Sequence, residues 1–404
     1  MKQGWEIKKL GEVCNIIGGG TPSKKNSEFY NGNIYWATVR DMKSSSISDT
    51  EFKITDEAVA QSSTNIVPRG NVIIATRVGL GKVCVNENDT AINQDLRGII
   101  PKQIIQLDNN YLFHWFKSIS HLIVAEGKGA TVQGVTLPYI KNIEIPLPPL
   151  SEQQRIVSIL DKVFAAIDKA KANAEQNLKN AYEVFDSYLQ EIFDKKDESW
   201  NVRSLKELTT KIGSGATPRG GRESYKKEGI SLVRSMNVHD WEFKNEKLAY
   251  IDNKQAKELE GVTLQENDVL LNITGASVAR CCIIPKKYLP ARVNQHVSII
   301  RPKKDVLDAN FLNLLLTSKH YKDQLLFIGE QGSTRQAITK AQIEAFKIIF
   351  PDYKQQQSIV NKLDALRAET QKLEAIYKKK LDCLEELKKS VLQKAFAGEL
   401  IEDV

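Results

Sequence analysis

Two pairs of neighbouring amides, Asn93-Gln94 and Asn294-Gln295, stand at matching places in the two halves of this 404-residue chain. A carboxamide carries a donor and an acceptor on one planar group. Asn or Gln can therefore grip adenine through two hydrogen bonds, as Arg grips guanine. Arg40, Arg97, Arg234, Arg292 and His296 lie near those amides in sequence, and Thr131-Val132-Gln133 and Thr334-Arg335-Gln336 form a second matched polar pair. A third group sits beside glycine turns: Thr21, Lys24 and Lys25 near Gly18-Gly19-Gly20, Arg77 and Lys82 around Gly79-Leu80-Gly81, then Arg219, Arg222 and Arg280. Backbone amides at a tight turn next to a cation suit a phosphate, a contact that positions a protein without reading bases. Each feature also has a plainer reading. The amides can cap backbone or join packed elements, and the turns can be ordinary surface hairpins.

Residues for catalysis are not found. The glycine turns lack both the GxGxxG spacing of a dinucleotide site and the spacer and Ser/Thr of a P-loop. No (D/N)PP(Y/F) element is present, and Pro351-Asp352-Tyr353-Lys354 lacks the second acid of a nuclease motif, so it reads as a helix boundary. The histidines at 114, 121, 239, 296 and 320 have no metal-ligand spacing. Five cysteines, with only Cys281-Cys282 close together, read as reduced thiols of a cytoplasmic protein. No apolar run reaches the length of a membrane span, so no membrane partner is expected.

The elements that must position these residues come in duplicate. Gly129–Val163 matches Gly332–Leu366 at a constant offset of 203, which persists at Leu189/Leu392 and Phe193/Phe396. The starts of the halves, WEIKKLGEVCNIIGGGTP and WNVRSLKELTTKIGSGATP, match at 195, and the amide pairs at 201. The ends are thus scaffold, while the interior, where insertions accumulate, carries what differs in recognition. A chain of two similar halves has pseudo-two-fold symmetry and suits a two-fold partner such as duplex DNA. The net charge is +7, with 16 basic against 14 acidic side chains in residues 1–150 and 24 against 19 in 197–353, so the excess lies mainly in the second head.

Each half ends in a long helical pattern opened by a Pro-containing break. In residues 151–196 the apolar positions are Ile156, Leu160, Val163, Ile167, Ala170, Ala174, Leu178, Ala181, Phe185, Tyr188 and Ile192, which are heptads with one stutter. Ser151 and Gln154 have capping-box spacing. In residues 354–396, Thr370 and Lys388 interrupt the stripe, with Leu387 and Leu392 as compensating neighbours. Neither helix has another long partner, so the two pair with each other, antiparallel. The expected fold is α+β: mixed α/β domains at 1–150 and 197–353, separated by helices at 151–196 and 354–404 including the tail. Strands are expected at 72–76 and 269–273, and short helices at 108–120 and 308–318.

From end to end the chain resembles the specificity subunits of type I restriction–modification systems. The resemblance rests on GGGTPS (18–23) with Trp36, on TLPYIKNIEIPLPPLSEQQRIV (136–157) and on LKKSVLQKAFAGELI (387–401); FPDYKQQQSIV in the second copy departs from the usual pattern with its register intact. It implies two target-recognition domains, each binding one half of a bipartite, asymmetric double-stranded DNA site, with the helices setting the spacer. It also implies two adenine-methylating modification subunits and restriction subunits as partners. Those partners, not this chain, would bind S-adenosylmethionine, ATP and magnesium. Identical modification subunits need identical docking sites. The elements kept alike in both copies, Pro148, Pro149, Gln153, Gln154 and Arg155 with Pro351, Gln356 and Gln357, are the docking candidates.

Overall fold

The computed structural model describes residues 4–129, 134–194, 200–331 and 336–400. The longest elements are two helices of 45 residues, α1 (Leu150–Asp194) and α2 (Tyr353–Ala397). The chain divides into two compact units, residues 1–175 with 379–404, and residues 176–378. Each unit is one head plus a segment of each helix.

In the first unit, Asp168–Lys388 (3.1 Å) and Lys171–Glu385 (2.6 Å) show the helices running antiparallel, since one index rises as the other falls. These pairs are exposed and screened, so they mark the register more than they hold it. Burial holds it. Ile156, Leu160, Ile167 and Ala174 of α1 are buried, as are Leu392 and Ala395 of α2. In the second unit the buried positions of α1 are Ala181, Phe185, Leu189 and Phe193, so the stripe advances by fours and Tyr188 turns outward. The expected assignment of Tyr188 to the stripe is corrected: in this stretch the buried residues fall four apart, which leaves Tyr188 off the buried face. Thr370 is buried and keeps its place because its hydroxyl donates to the Arg367 carbonyl at 2.9 Å. Leu387 is exposed and does not compensate.

The first head holds a five-stranded sheet built around Val72–Ala75 and Leu96–Pro101, and a smaller sheet of β1 (Ile34–Ala37), β2 (Phe52–Ile54), β3 (Asn65–Val67) and β4 (Thr90–Ile92). The second head repeats the plan. Its four-stranded sheet contains Val269–Asn272, and a smaller one contains β5 (Ile230–Val233), β6 (Ala249–Ile251) and β7 (Ala291–Val293). In both small sheets the first strand pairs parallel with the strand that precedes the amide pair. The β-branched runs read as strands in sequence are these buried central strands. A two-stranded ribbon closes each head, Glu6–Lys9 with Glu144–Leu147 and Asn201–Ser204 with Lys347–Phe350, bringing the start of the head to the root of its long helix.

The helices Asn109–Glu126 and Ala309–Thr317 are capped by Asp108 and Asp308, whose carboxylates accept N–H groups of the first turn. Tyr111, Trp115 and Phe116 fill the first core and Phe311, Leu312 and Leu315 the second. Leu392 and Ala395 of α2 belong to the first core, and Phe185, Leu189 and Phe193 of α1 to the second. Helix α1 starts at Leu150, so Ser151 lies inside it rather than at its cap. No described helix is long and apolar enough to cross a membrane.

Candidate nucleic-acid interface

In the first head, Gly19 lies so close to the Ile92 carbonyl that a Cβ there would sit 2.0 Å from its oxygen. In the second, Gly215 stands likewise to Val293, at 1.7 Å. Only glycine allows this approach, and it brings a threonine to the amide pair. The Thr21 hydroxyl donates to Gln94 Oε1 at 2.5 Å, and Thr217 donates to Gln295 Oε1 in the same way. Both glutamines are exposed. With its oxygen engaged, each presents its NH2 outward.

The asparagines are different. Asn93 and Asn294 are buried, and their side-chain oxygens accept the N–H of Asp95 and of His296, at 3.1 Å each. Their own N–H groups donate to Ala37 and Val233. They build the turn that displays the glutamine, and the expectation that they read bases is corrected. Arg292 is corrected too: it is buried, with Nε donating to the Ala256 carbonyl at 3.1 Å.

Around the first clamp a cleft of about 730 Å³ gathers Thr21, Lys24, Arg40, Asn93 and Gln94 with Tyr30, Trp36 and Phe52. Arg40 is exposed and faces Glu51 at 3.7 Å. Lys25 is exposed but does not line the cleft. Arg77 pairs with Asp95 at 3.6 Å, and Lys82 donates to the Val39 carbonyl at 3.4 Å. Arg97 is half-buried beside Gly18; burial, then the charge of Arg77, lowers its pKa from the usual arginine value. In the second head Arg219 is exposed and Arg280 partly so. Arg234 lies on the Tyr225 ring, 5.3 Å from its centre, and His296 Nδ1 is 2.6 Å from the Thr274 hydroxyl. Thr131, Val132, Gln133, Thr334 and Arg335, and the side chain of Arg222, lie outside the described residues.

The sequence reading missed Thr217, Tyr30, Phe52 and Tyr225. Three of the four had a signal: Thr217 follows its glycine turn as Thr21 does, and Tyr30 and Tyr225 share the offset of 195 seen at the start of the halves. Phe52 had none, because only cross-strand pairing with Trp36 brings it to the cleft. Among the described residues no cluster of His, Cys, Asp and Glu could hold a metal.

The docking candidates separate. Gln154 and Gln357 are exposed, as is Pro149, while Pro148 and Pro351 are buried. Arg155 is bound to Glu152 at 2.9 and 3.2 Å. Gln153 and Gln356 are 0% exposed and cannot meet a partner. Gln153 Oε1 accepts the N–H of Asp108 (2.9 Å), and its Nε2 donates to the carbonyls of Gln106 (2.8 Å) and Pro148 (2.9 Å). Gln356 repeats this with Asp308 (2.8 Å), Val306 (3.0 Å) and Pro351 (2.9 Å). Each glutamine locks the root of a long helix to its own head.

The chain matches the model of the type I restriction modification DNA specificity domain twice, over residues 2–179 and 197–381. It is 27% identical to the type I restriction enzyme MjaIX specificity subunit of Methanocaldococcus jannaschii, over 98% of this chain and 93% of that one. It is 37% identical to the EcoR124I/EcoR124II specificity subunit of Escherichia coli, over 39% of this chain and 40% of that one. Among solved structures, the HsdS subunit from Thermoanaerobacter tengcongensis shares the fold with a TM-score of 0.66 and 20% identity, over 99% of this chain and 98% of that one. A chain from a type I R-M complex described for its assembly and conformational transition shares it at 0.79, with 21% identity and 99% of both chains covered. With the specificity domain present twice and spanning nearly its whole length, the chain belongs to the type I restriction–modification specificity family.

Proposed function

We propose that this chain is the DNA-reading subunit of a type I restriction–modification complex, each head binding one half of a bipartite duplex site. The observation that carries this reading is the glycine–threonine–glutamine clamp, built at the same topological place in both heads. The NH2 of each glutamine, with the second lone pair that its oxygen keeps beside the threonine, matches N7 and N6 of adenine, and Lys24, Arg40 and Arg219 nearby suit phosphates. Helices α1 and α2, each contributing to both units, set the spacer. Their exposed faces, with Gln154, Gln357 and Pro149, dock two modification subunits and, through them, restriction subunits. S-adenosylmethionine, ATP and magnesium belong to those partners, and this chain performs no catalytic step.

Sequencing of methylated bases in a host with and without the gene tests the proposal. The expected result is one asymmetric, two-part motif that vanishes with the gene. A second reading is a helical adaptor without sequence preference; salt-dependent binding that is equal for all duplexes would establish it instead.

A further inference from the structure

The two heads share a frame but differ at one place beside the clamp, and the difference falls on residues able to discriminate bases. Strand pairing fixes the equivalence. Trp36 faces Phe52 across β1 and β2, and Leu232 faces Ala249 across β5 and β6. Two residues beyond Trp36, the N–H of Thr38 donates to Asp41 Oδ2; at the same place the N–H of Arg234 donates to Asn237 Oδ1. The first head therefore has Trp, Phe and Thr where the second has Leu, Ala and Arg.

The chemistry of the two places is opposite. In the first head the Tyr30, Trp36 and Phe52 rings meet edge to face at 5.9–6.4 Å, and Trp36 is locked by its indole N–H to the Gly20 carbonyl at 3.2 Å. Phe52 is left 42% exposed at the cleft wall, where its ring can pack against an apolar group that enters the cleft. In the second head the guanidinium of Arg234 lies over Tyr225 and donates to the Lys247 carbonyl, while its Nε is shielded from solvent without a partner. An Arg placed over a ring and tied at one nitrogen has little freedom left to lose on binding. Its remaining N–H groups form a preset fork.

We infer that the heads read different bases with neighbouring positions of this shared frame: the first packs Phe52, where the second has Ala249, against the 5-methyl group of a thymine, and the second sets Arg234, where the first has Thr38, on O6 and N7 of a guanine. The inference rests on the reading that each head binds duplex DNA.

The test begins with selection of duplexes by the full chain, together with the modification subunits, from a library randomised at both half-sites. The selected duplex is rebuilt with deoxyuridine for each thymine, removing only a methyl group, and with 7-deazaguanine for each guanine, removing only N7. One deoxyuridine in one half-site should weaken binding roughly five- to tenfold for the unaltered chain, near the lower end of base discrimination. It should have no effect on Phe52→Ala, whereas Phe52→Leu should stay sensitive. One 7-deazaguanine in the other half-site should weaken binding similarly and be silent in Arg234→Gln. If every deoxyuridine is silent for the unaltered chain, or if the 7-deazaguanine effect persists in Arg234→Gln, the assignment is overturned. A Phe52→Ala chain that binds all duplexes equally less well also overturns it, because a base contact changes one position only. A selection that enriches no sequence is a different failure: it removes the reading of the heads as recognition domains, and this assignment with it.

Discussion

A glutamine deep under a helix root looks from the sequence like one more polar residue of an exposed face. Gln153 and Gln356 fall on the same helix face as the buried Ile156 and Leu160, and Val360 and Leu363, but their polar side chains leave them outside an apolar stripe. Two of the three partners of each, a loop carbonyl and a helix-start N–H, lie some 45 to 50 residues away, so only the tertiary fold reveals them. Replacing either by alanine leaves three backbone groups without their partner, one buried and two partly buried; a buried one left unpaired costs about 1–3 kcal/mol. Gln153→Ala should lower the melting temperature of the chain by several degrees, while Gln154→Ala leaves it unchanged. Differential scanning calorimetry of both variants decides between a clip and a docking residue. His114 offers a second check. Its Nε2 is 3.0 Å from Asp161 Oδ1, yet burial outweighs that carboxylate and holds its pKa below 6.5. The unfolded chain then binds the proton more readily than the folded one. The stability this histidine supplies is present above 6.5 and lost as the pH falls. Melting followed from neutral to mildly acidic pH should show this slope, and His114→Gln should flatten it. What the sequence did reveal at this scale was the exposed clamp glutamines, because their place repeats. It placed Asn93, Asn294 and Arg292 wrongly for a physical reason: a turn asparagine and a buried arginine have the same side chains as base readers, and burial alone tells them apart.

Among the elements, the long helices were the most legible, since a heptad stripe of this length is buried only against another long helix. The reading failed where the register drifts, at Tyr188, and where a polar residue satisfies itself, at Thr370, because neither drift nor a local hydroxyl bond is written in the apolar pattern. The small sheets were hardly legible: their strands are three or four residues long and pair with distant segments. The helices permit a direct test of the spacer. The Lys171–Glu385 pair joins α1 and α2 in one unit, and the contact of Lys378 with the Tyr182 ring joins them in the other. Deleting Ala174–Asn180 together with Lys378–Leu384 removes one heptad from each and about 10 Å of helix length. The methylated motif should then lose about three base pairs of spacer at 3.4 Å each. An unchanged spacer would dissociate helix length from site geometry.

For the molecule as a whole, duplication makes the heads exchangeable parts. Replacing residues 1–150 by the equivalent segment of a relative should alter one half of the methylated motif and leave the other, as read by sequencing of methylated bases. A change in both halves would mean that the heads read the site jointly. The exchange has a structural condition. Phe396 of α2 packs edge-on against Tyr111 of the first head, ring centres 5.2 Å apart, beside Leu392 and Ala395. A donor head lacking an aromatic residue at that place should assemble less stably, even when its recognition surface is intact.

That same contact governs how the chain can fold as it is made. The second unit is one continuous stretch, residues 176–378, whereas the first is completed only by residues 379–404. A growing polypeptide usually folds its leading part first. Here the first head leaves the ribosome with the Tyr111 side of its core uncovered, and it stays so until residues 379–404 have followed the whole second unit. The later-made unit closes before the earlier one. Nascent chains stalled after the second unit should therefore show a protease-resistant 176–378 and a still-cleavable first head, and release of the last helix should convert both to resistance together. A frameshift just after residue 378 would, by the same logic, unfold the first head and spare the second.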